Sequence, residues 1–575
     1  MADLIGKILE DDALHSALLE KLTGFREKIK EFNSRSGQLK KMREFYQLYK
    51  SYPNIYRTKE KYQSNIFVPL TYQFVSTIHP RLTNAVYSVH PLFEMVGETE
   101  EADRKAENSE IILNSMLYHN DFYTNFDDTL LFSLIFGTGV MKYVIARKGF
   151  TRVFPEWCDP MSIGIDPNAA DYDNAKYCYQ DFYKPIWHLL EMQKDGVYHG
   201  IDRLIKNNEM SSNNATPANE RLASIGMAPE SFQTDDFKVT EYYCIIENPL
   251  VDQDYQNMLF TVVNDKYIIR AEKNPYGIFP YERVAPLHVP GEFYGISVPE
   301  IIQYLQYEQN EKRNQLLDAS KLAVNPIWTV VQNSILGAYR NQDIPMEPGT
   351  MIDVSMEGAI SPLQFNFQSL MAGMDDLKLN RQDMNDALGV FDYNRGSPRP
   401  GDQTATEIVS LINEGNMRFL KMIMNIEHHT LRRIGKTVLR LYKENMMPTE
   451  SVRILEPKDR EGMLMFESGG FESVRPQDID FDYEMRCMAS SAYNMRTIDR
   501  QFIMQLSQML AEDPNMVDKY DNVKLYKMMA RSMNVRDLSF FTPSSRRQEN
   551  MPNNIAPEIM AGLLGQGASG TGLAA

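Results

Sequence analysis

Residues 291–326 read GEFYGISVPEIIQYLQYEQNEKRNQLLDASKLAVNP, and this stretch predicts one long helix over residues 298–323. Ser297 is a suitable N-cap, and Pro299 fits the first helical turn because the N–H that proline lacks would have no partner there. The Asn-Pro pair at 325–326 ends the helix, since a residue before proline avoids helical geometry. At about 1.5 Å per residue, the helix would span roughly 40 Å.

The polarity of this helix changes along its length. Its ends are apolar, with Ile301 and Ile302 near the start and Leu322 near the end, whereas the sequence YEQNEKRNQ at 307–315 is almost wholly polar. A helix that crosses a solvated gap would have this pattern. We therefore expect the middle of the helix to face solvent.

The chain beyond this helix alternates between a β-rich insert and further helices. Residues 325–367 contain the runs IWTVV, PGTMIDV and SPLQFNF, which are typical of short strands. An amphipathic, charged helix is expected over 368–388. Residues 389–403, GVFDYNRGSPRPGDQ, combine Gly, Pro and Arg and therefore predict a mobile loop between two helices. A capping-box sequence, TATE at 404–407, predicts the start of the longest helix in the chain.

The rest of the chain supplies both helices and strands. The spacing of apolar residues indicates helices in the first fifty residues and over 69–86, where Pro80 marks a kink or break. From Gly139 the pattern changes to strands, and strands recur over 452–488. We therefore predict an α+β fold that is mainly helical.

Composition and charge limit the classes of function. The chain has 575 residues, of which 43% are hydrophobic, so it can bury sizeable cores. Its formal net charge of −17 argues against a protein that coats DNA, because non-specific DNA binding comes mainly from Lys and Arg. The longest uncharged apolar run, residues 129–141, is shorter than the about 20 residues that span a membrane. We expect a soluble protein with no membrane contact.

The motifs that resemble catalytic or nucleotide-binding sites are all incomplete. Gly435-Lys436-Thr437 resembles the end of a phosphate-binding loop, but position 430 is threonine where that loop needs glycine. The segment 137–139, Gly-Thr-Gly, is a lone G-x-G and carries little weight. There is no G-x-S-x-G elbow, and a cysteine nucleophile with a distant histidine stays an open alternative without local support. We predict no catalytic residues and no cofactor.

Metal-binding patterns are equally weak. His428 and His429 are adjacent, so on a helix they point about 100° apart rather than toward one ion. Asp127 and Asp128 are better explained as surface residues of a helix than as part of a two-metal nuclease. The four cysteines form no C-x-x-C pair, which predicts reduced thiols and no zinc site. We predict no metal-binding residues.

The order of long helix, β insert, helix, Gly/Pro/Arg loop and very long helix resembles the portal, or head-to-tail connector, proteins of tailed bacteriophages, especially short-tailed ones. The sequences that carry the resemblance are FYGISVPEIIQYLQYEQNEKRNQLLD at 293–318, NPIW at 325–328, PGTMI at 348–352, RGSPRPGDQTATEI at 395–408 and YPNIYRTKEKYQSNIFVPLTYQFVSTIHPRL at 52–82. The resemblance covers roughly residues 36–541 and depends on the order of these sequences rather than on any single motif.

The resemblance implies the regions of a portal fold: wing, stem, clip and crown. Carried onto this chain, they are an N-terminal arm and wing at 1–297, a stem helix at 298–324, a clip at 325–367, a second stem helix at 368–388, a tunnel loop at 389–403, a long wing helix and wing strands at 404–492, a helical crown at 493–541 and a disordered tail at 542–575.

The resemblance also implies a function and a set of partners. Portals form a homo-oligomeric ring, usually of twelve subunits, around a channel for double-stranded DNA at one capsid vertex of the virion. Such a ring serves genome packaging, retention and ejection, and it is assembled in the host cytoplasm. Its partners would be the major capsid protein and scaffold, the terminase large subunit during packaging, and tail adaptor proteins afterwards.

Candidate site residues follow from these regions. DNA contact in the tunnel loop is expected from Asn394, Arg395, Arg399 and Asp402. Channel-facing stem candidates are Glu308, Glu311, Lys312, Arg313, Asp375, Lys378 and Arg381. Docking of the motor or adaptor at the clip is expected to involve Trp328, Arg340, Asp343 and Glu347.

Two alternatives compete with the portal interpretation. For each cation of the stem and the tunnel loop, the simpler interpretation is a solvated residue or an intersubunit salt bridge. The alternative functions are another phage structural protein, such as a tail adaptor or minor capsid protein, and an enzyme such as a nuclease or terminase.

Overall fold

The computed structural model describes residues 2–52, 63–87, 92–97, 99–148, 150–206, 216–226, 236–247, 255–324, 328–331, 354–358, 360–362, 367–390, 417–447, 450–460, 463–476, 479 and 483–487. The chain divides into two compact units, Met1–Val452 with Glu472–Ser490, and Arg453–Phe471 with Ser491–Ala575. Helices and strands are mixed, in agreement with the α+β class. Within the ranges just given, no helix is long and apolar enough to cross a membrane.

Helices dominate the first part of the chain, as the apolar spacing predicts. They are α1 (Ala2–Glu10), α2 (Asp12–Arg35), α3 (Gln38–Tyr49), α4 (Leu70–Tyr87), α5 (Glu100–His119) and α6 (Phe122–Phe136). The carboxylate of Asp11 caps α2 by accepting hydrogen bonds from the N–H groups of Ala13 and Leu14 at 2.9 and 3.2 Å. The helix predicted over 69–86 is confirmed as α4, and Pro80 lies inside it without breaking it.

Antiparallel strands follow, interrupted by short helices. They are β1 (Phe93–Gly97), β2 (Gly139–Lys148), β3 (Phe150–Cys158), β4 (Ile163–Ile165), β5 (Tyr177–Pro185), α7 (Ile186–Lys194), α8 (Ile201–Lys206), α9 (Pro217–Ser224), β6 (Asp236–Glu247), β7 (Tyr255–Val263), β8 (Tyr267–Lys273) and β9 (Tyr281–Val284). One sheet has the order β3-β2-β9 and the other β4-β5-β6-β7-β8. Asn264 and Asp265 have φ angles of 52° and 58°, as a tight turn between β7 and β8 requires.

The five-stranded sheet is buried on both faces. Tyr242 and Cys244 of β6 pack beneath α1 and α2, whereas Tyr243 between them packs toward the three-stranded sheet. This alternation follows from the two-residue period of a strand. Arg26 of α2 ties the helix to the sheet through a buried ion pair with Asp181 at 2.5 Å. These layers form the body from which the next helix starts.

The second half of the chain contains the predicted helix–insert–helix order. Its elements are α10 (Val298–Val324), β10 (Trp328–Val330), β11 (Ile360–Pro362), α11 (Phe367–Leu388), helical residues 417–445, β12 (Glu450–Arg460), β13 (Met463–Val474) and β14 (Tyr483–Cys487). The helices predicted over 298–323 and 368–388 are confirmed within one residue at each end. The helical crown expected at 493–541 and the tail expected at 542–575 lie outside the described residues.

Short strand pairs complete this half. Strands β10 and β11 pair antiparallel, with Thr329 opposite Ser361. Strands β12 and β13 form a separate two-stranded sheet, and β14 returns to pair antiparallel with β1. Residues 417–445, called the long helix below, are α-helical except for a π turn at Glu427–Leu431.

Candidate functional site: the helices α10 and α11

The start of α10 is fixed by close backbone packing. Gly137 ends α6 with φ of 86°, and a Cβ there would lie 2.1 Å from the carbonyl oxygen of Gly295. The buried hydroxyl of Thr138 accepts a hydrogen bond from the Gly295 N–H at 3.0 Å. The Gly-Thr-Gly segment therefore acts by packing. Ser297 is confirmed as the N-cap, since its hydroxyl accepts from the Glu300 N–H at 3.1 Å.

One face of α10 binds the backbone of a distant segment. Four polar side chains at four-residue spacing, here called the polar ladder, contact residues 63–69, here called the strap; the ladder is Gln306, Asn310, Asn314 and Asp318. The amide of Asn314 accepts from the Ile66 N–H at 2.7 Å and donates to the Ile66 carbonyl at 3.0 Å. The other bonds run from Ser64 N–H to Asp318 at 2.8 Å, from Val68 N–H to Asn310 at 2.9 Å, and from Gln306 to the Val68 carbonyl at 2.9 Å.

Two regular spacings make this arrangement possible. Four residues of helix rise about 6 Å, and two residues of extended chain advance about 6.6 Å. Asp318, Asn314 and Asn310 therefore bind every second residue of the strap, and Gln306 binds the same residue as Asn310. Asn310 and Asn314 are 0% and 1% exposed, so the expectation that the polar middle of the helix faces solvent is wrong for this face. Its polarity satisfies buried backbone groups instead.

Another face of α10 contacts α11, which runs antiparallel to it. Asn380 donates to Glu308 at 3.0 Å, Lys312 lies 3.4 Å from Asp376, and a Cβ on Gly373 would lie 2.9 Å from Leu316. As the residue number rises along α10 it falls along α11 in these three contacts, which defines the antiparallel direction. Gly373 lets the two helices approach closely at this point.

The predicted stem residues fall into two groups. Glu308 and Lys312 form an ion pair at 2.7 Å within α10, and their side chains are 45% and 32% exposed. The hydrogen bond with Glu308 raises the pKa of Lys312, so this cation stays charged and is already paired within the chain. Lys378 likewise pairs with Asp375 at 2.9 Å. The remaining candidates, Glu311, Arg313 and Arg381, have exposed side chains.

The carboxyl end of α11 is capped by Arg418, a residue that the sequence did not single out. Gly389 has φ of 67°, and the Val390 N–H donates to the Asn385 carbonyl at 3.0 Å, as in a Schellman ending. Arg418, in the first turn of the described long helix, donates to the carbonyls of Asp386 and Ala387 at 2.6 and 2.9 Å. A cation at this helix end also complements the helix dipole.

The π turn of the long helix contacts the segment that leads into α10. Thr430 donates to the Arg283 carbonyl and Asn425 donates to the Pro286 carbonyl, both at 2.9 Å. His429 packs against His288 with ring centroids 4.9 Å apart. Burial, together with the nearby Arg283, lowers the pKa of both histidines, so they are neutral at pH 7. Thr430 and His429 of the π turn and Asn425 just before it thus contact the 283–288 segment.

The remaining predicted site residues have no described surroundings. Asn394, Arg395, Arg399, Asp402, Arg340, Asp343 and Glu347 all lie outside the described residues. Trp328, the one clip candidate with a described position, lies in β10 and is 42% exposed.

The described geometry does not favour a cysteine nucleophile, a phosphate-binding loop or a metal site. Burial raises the pKa of Cys158 and of Cys244 to about 12, so neither thiol is a good nucleophile at neutral pH. The segment 435–437 lies inside the α-helix Arg432–Asn445 rather than between a strand and a helix. In the described part of the chain, no three His, Cys, Asp or Glu side chains are grouped so that they could hold a metal ion.

The comparison with protein families identifies the group to which this architecture belongs. The model of the family described as Phage SU10 portal protein matches residues 144–566, which is more than two thirds of the chain. No curated protein matches the chain. The match includes α10, the β10–β11 insert, α11 and the long helix. This chain is therefore a member of the Phage SU10 portal protein family, the head-to-tail connectors of short-tailed bacteriophage virions.

Proposed function

We propose that copies of this chain form the ring-shaped DNA channel at one capsid vertex, through which the genome is packaged, retained and ejected. The observation that carries the proposal is the antiparallel α10–α11 pair on either side of the β10–β11 insert, in a chain of the portal family. In this proposal, α10 and α11 are the stem, residues 325–367 are the clip and residues 389–403 are the tunnel loop. Residues 1–297 and 404–492 form the wing, and 493–541 form the crown.

The charges of α10 and α11 fit a channel that lets DNA slide. Lys312 and Lys378 are both engaged by carboxylates of the same chain, which reduces the cation density available to phosphates. Tight non-specific binding needs several unpaired cations, because each one displaces a counterion from DNA. Paired cations and a net charge of −17 therefore favour weak, transient contact along the stem. Stronger contact is assigned to Arg395 and Arg399 of the tunnel loop.

The proposal includes partners that recognise different parts of the ring. The subunits would associate through the stem and the wing, with twelve copies as the expected number. The clip residues Trp328, Arg340, Asp343 and Glu347 would dock the terminase large subunit first and tail adaptors later. The wing would contact the major capsid protein and scaffold. No enzymatic step is assigned to the chain.

Electron microscopy of the purified full-length protein tests the proposal directly. Rings of about a dozen subunits with a central hole are expected, and added double-stranded DNA should remain uncut. A uniform monomer would contradict the channel, and DNA cleavage by that monomer would favour the nuclease alternative. Rings with a central hole that do not bind the terminase large subunit would contradict the assignment of residues 325–367 as its docking site.

A further inference from the structure

Helix α11 presents an exposed face that combines apolar and acidic side chains, here called the acidic face. It consists of Leu379, Asp383 and Asp386, which are spaced i, i+4 and i+7 and therefore lie on one side of the helix. All three are exposed, Leu379 by 58%. The contacts of α11 with α10 come from other residues, Gly373 and Asn380. Within the described ranges, neither carboxylate of the acidic face takes part in an ion pair.

The long helix presents a face of the same spacing and the opposite charge, here called the basic face. It consists of Met417, Lys421 and Met424, again at i, i+4 and i+7, and all three are exposed. The long helix contains seven Lys or Arg residues and only two Glu, in a chain whose net charge is −17. The exposed methionines favour a protein partner over DNA, because a phosphate backbone pairs with lysine but offers little apolar surface to methionine.

We propose that the acidic face of one copy of this chain binds the basic face of the next copy. The inference rests on the proposed function, because it supposes that the copies form a ring. Two different complementary faces on one chain give a head-to-tail contact, which closes into a ring when the rotation between copies allows it, whereas a face that binds itself stops at a dimer. In this contact Leu379 packs against the methionines, and the charges select the correct partner face.

Reversing the charge of each face tests the contact. Lys421→Glu leaves a copy with two acidic faces, and the double variant Asp383→Lys with Asp386→Lys leaves a copy with two basic faces. Each variant alone should lower the fraction of full-length chain in rings by about tenfold, because like charges then meet at every contact. Lys421→Gln, which removes the charge without reversing it, should give an intermediate fraction. Electron microscopy and light scattering measure the ring fraction.

Mixing the two reversed variants in equal amounts distinguishes a contact between copies from one within a chain. Rings should return in the mixture, because acidic and basic copies can alternate around the ring. An ion pair inside one chain would be broken in both variants and would stay broken after mixing. A mixture of folded variants that forms no rings would therefore overturn the inference, and so would a normal ring fraction in either variant alone.

Lys436→Glu is the matched control. Lys436 is an exposed lysine of the same helix that lies near Glu484 of its own chain, so its reversal should leave the ring fraction unchanged. An equal loss of rings in this control would mean that the net charge of the helix matters rather than the basic face, which would also overturn the inference. These outcomes leave the proposed ring intact, whereas a parent protein that forms no rings would contradict the proposed function itself.

Discussion

The two helices of the proposed stem are attached to the protein in different ways. Helix α10 is held at its start by Gly295 and Thr138 and along its length by the polar ladder, whose amides bind the strap. Helix α11 contacts α10 on one face, and at its far end it is held by Arg418. Away from this contact, α11 carries exposed apolar side chains, including Met371 and Leu379.

The comparison shows that a polar helix sequence can indicate firm attachment of the helix to the rest of the protein. Buried Asn and Gln side chains that pair with backbone groups restrict a helix in both position and rotation, because each bond is directional. The described contacts of α11 with α10 are of another kind: Asn380 donates to the Glu308 side chain, and Gly373 packs against Leu316. We therefore expect α10 to keep its position relative to the sheets, and α11 to move with the segments at its two ends.

The largest expected effect concerns the segment that α11 carries. Deletion of residues 394–401 removes Arg395 and Arg399 but none of the described contacts of either helix. Rings should form normally, while most DNA-filled capsids and most infectious progeny are lost. Electron microscopy and plaque counts measure the two outcomes. Loss of ring assembly in this deletion would show that residues 389–403 are not the tunnel loop.

The next effect tests the attachment of α10. Asn314→Leu removes two hydrogen bonds and leaves the backbone of Ile66 unpaired, which should lower the free energy of unfolding by about 3 kcal/mol. Denaturant unfolding and faster hydrogen exchange at the Ile66 amide would measure this loss. Gln315→Leu is the matched control, since Gln315 is exposed and bonds only to Glu311 of the same helix. Equal effects of the two substitutions would mean that the ladder does not hold the strap.

A smaller effect tests the packing between the helices. Gly373→Val places side-chain atoms against Leu316 and should lower the free energy of unfolding by about 1–2 kcal/mol, because α11 can shift away more easily than α10 can. Combining it with Leu316→Ala should recover part of the loss, as a double-mutant cycle would show. Strict additivity of the two substitutions would contradict the close contact.

The smallest effect is a dependence on pH at the outer end of the ladder. Burial raises the pKa of Asp318, but the hydrogen bonds from Ser64 and Lys321 outweigh burial and the net pKa is lowered. A lowered carboxyl pKa stabilises the folded state at neutral pH, and this contribution is lost as the pH falls below the usual Asp pKa of about 3.9. We expect well under 1 kcal/mol, since the site is near the surface. Hydrogen exchange at the Ser64 amide measures it, and Asp318→Asn should abolish the pH dependence.

Local sequence signals predicted the elements well but not their contacts. The N-cap Ser297 and the helix predicted over 298–323 depend on neighbouring residues, and the structure agrees with both. The ladder was missed because its partner, the strap, lies more than two hundred residues away in the sequence. Its four-residue spacing of Gln306, Asn310, Asn314 and Asp318 was a usable signal, since such residues share one helix face.

The site residues show the same limit. Lys312 was predicted to face a channel, and the structure pairs it with Glu308 and Asp376. The Glu308 pair has the four-residue spacing that a helix sequence reveals, whereas the Asp376 pair depends on how α11 packs against α10. No sequence motif predicts the contact of Arg418, because the free carbonyls of a helix end can accept hydrogen bonds from any nearby cation. The loop and most clip candidates lie outside the described residues, so their assignments stay predictions.

The ladder has a consequence for how the sequence of this chain can vary. At Ile66 and Val68 its described bonds to the strap involve main-chain atoms, and the Ile66 side chain is 48% exposed. Exchange of Ile66 for Thr or Val should therefore be tolerated, whereas proline at 66 or 68 removes the N–H that the ladder binds. In related chains, we expect the four ladder residues to be kept and the exposed strap side chains to vary. Sequence variation would then be restricted on the helix that binds the backbone and permitted on the segment whose backbone is bound.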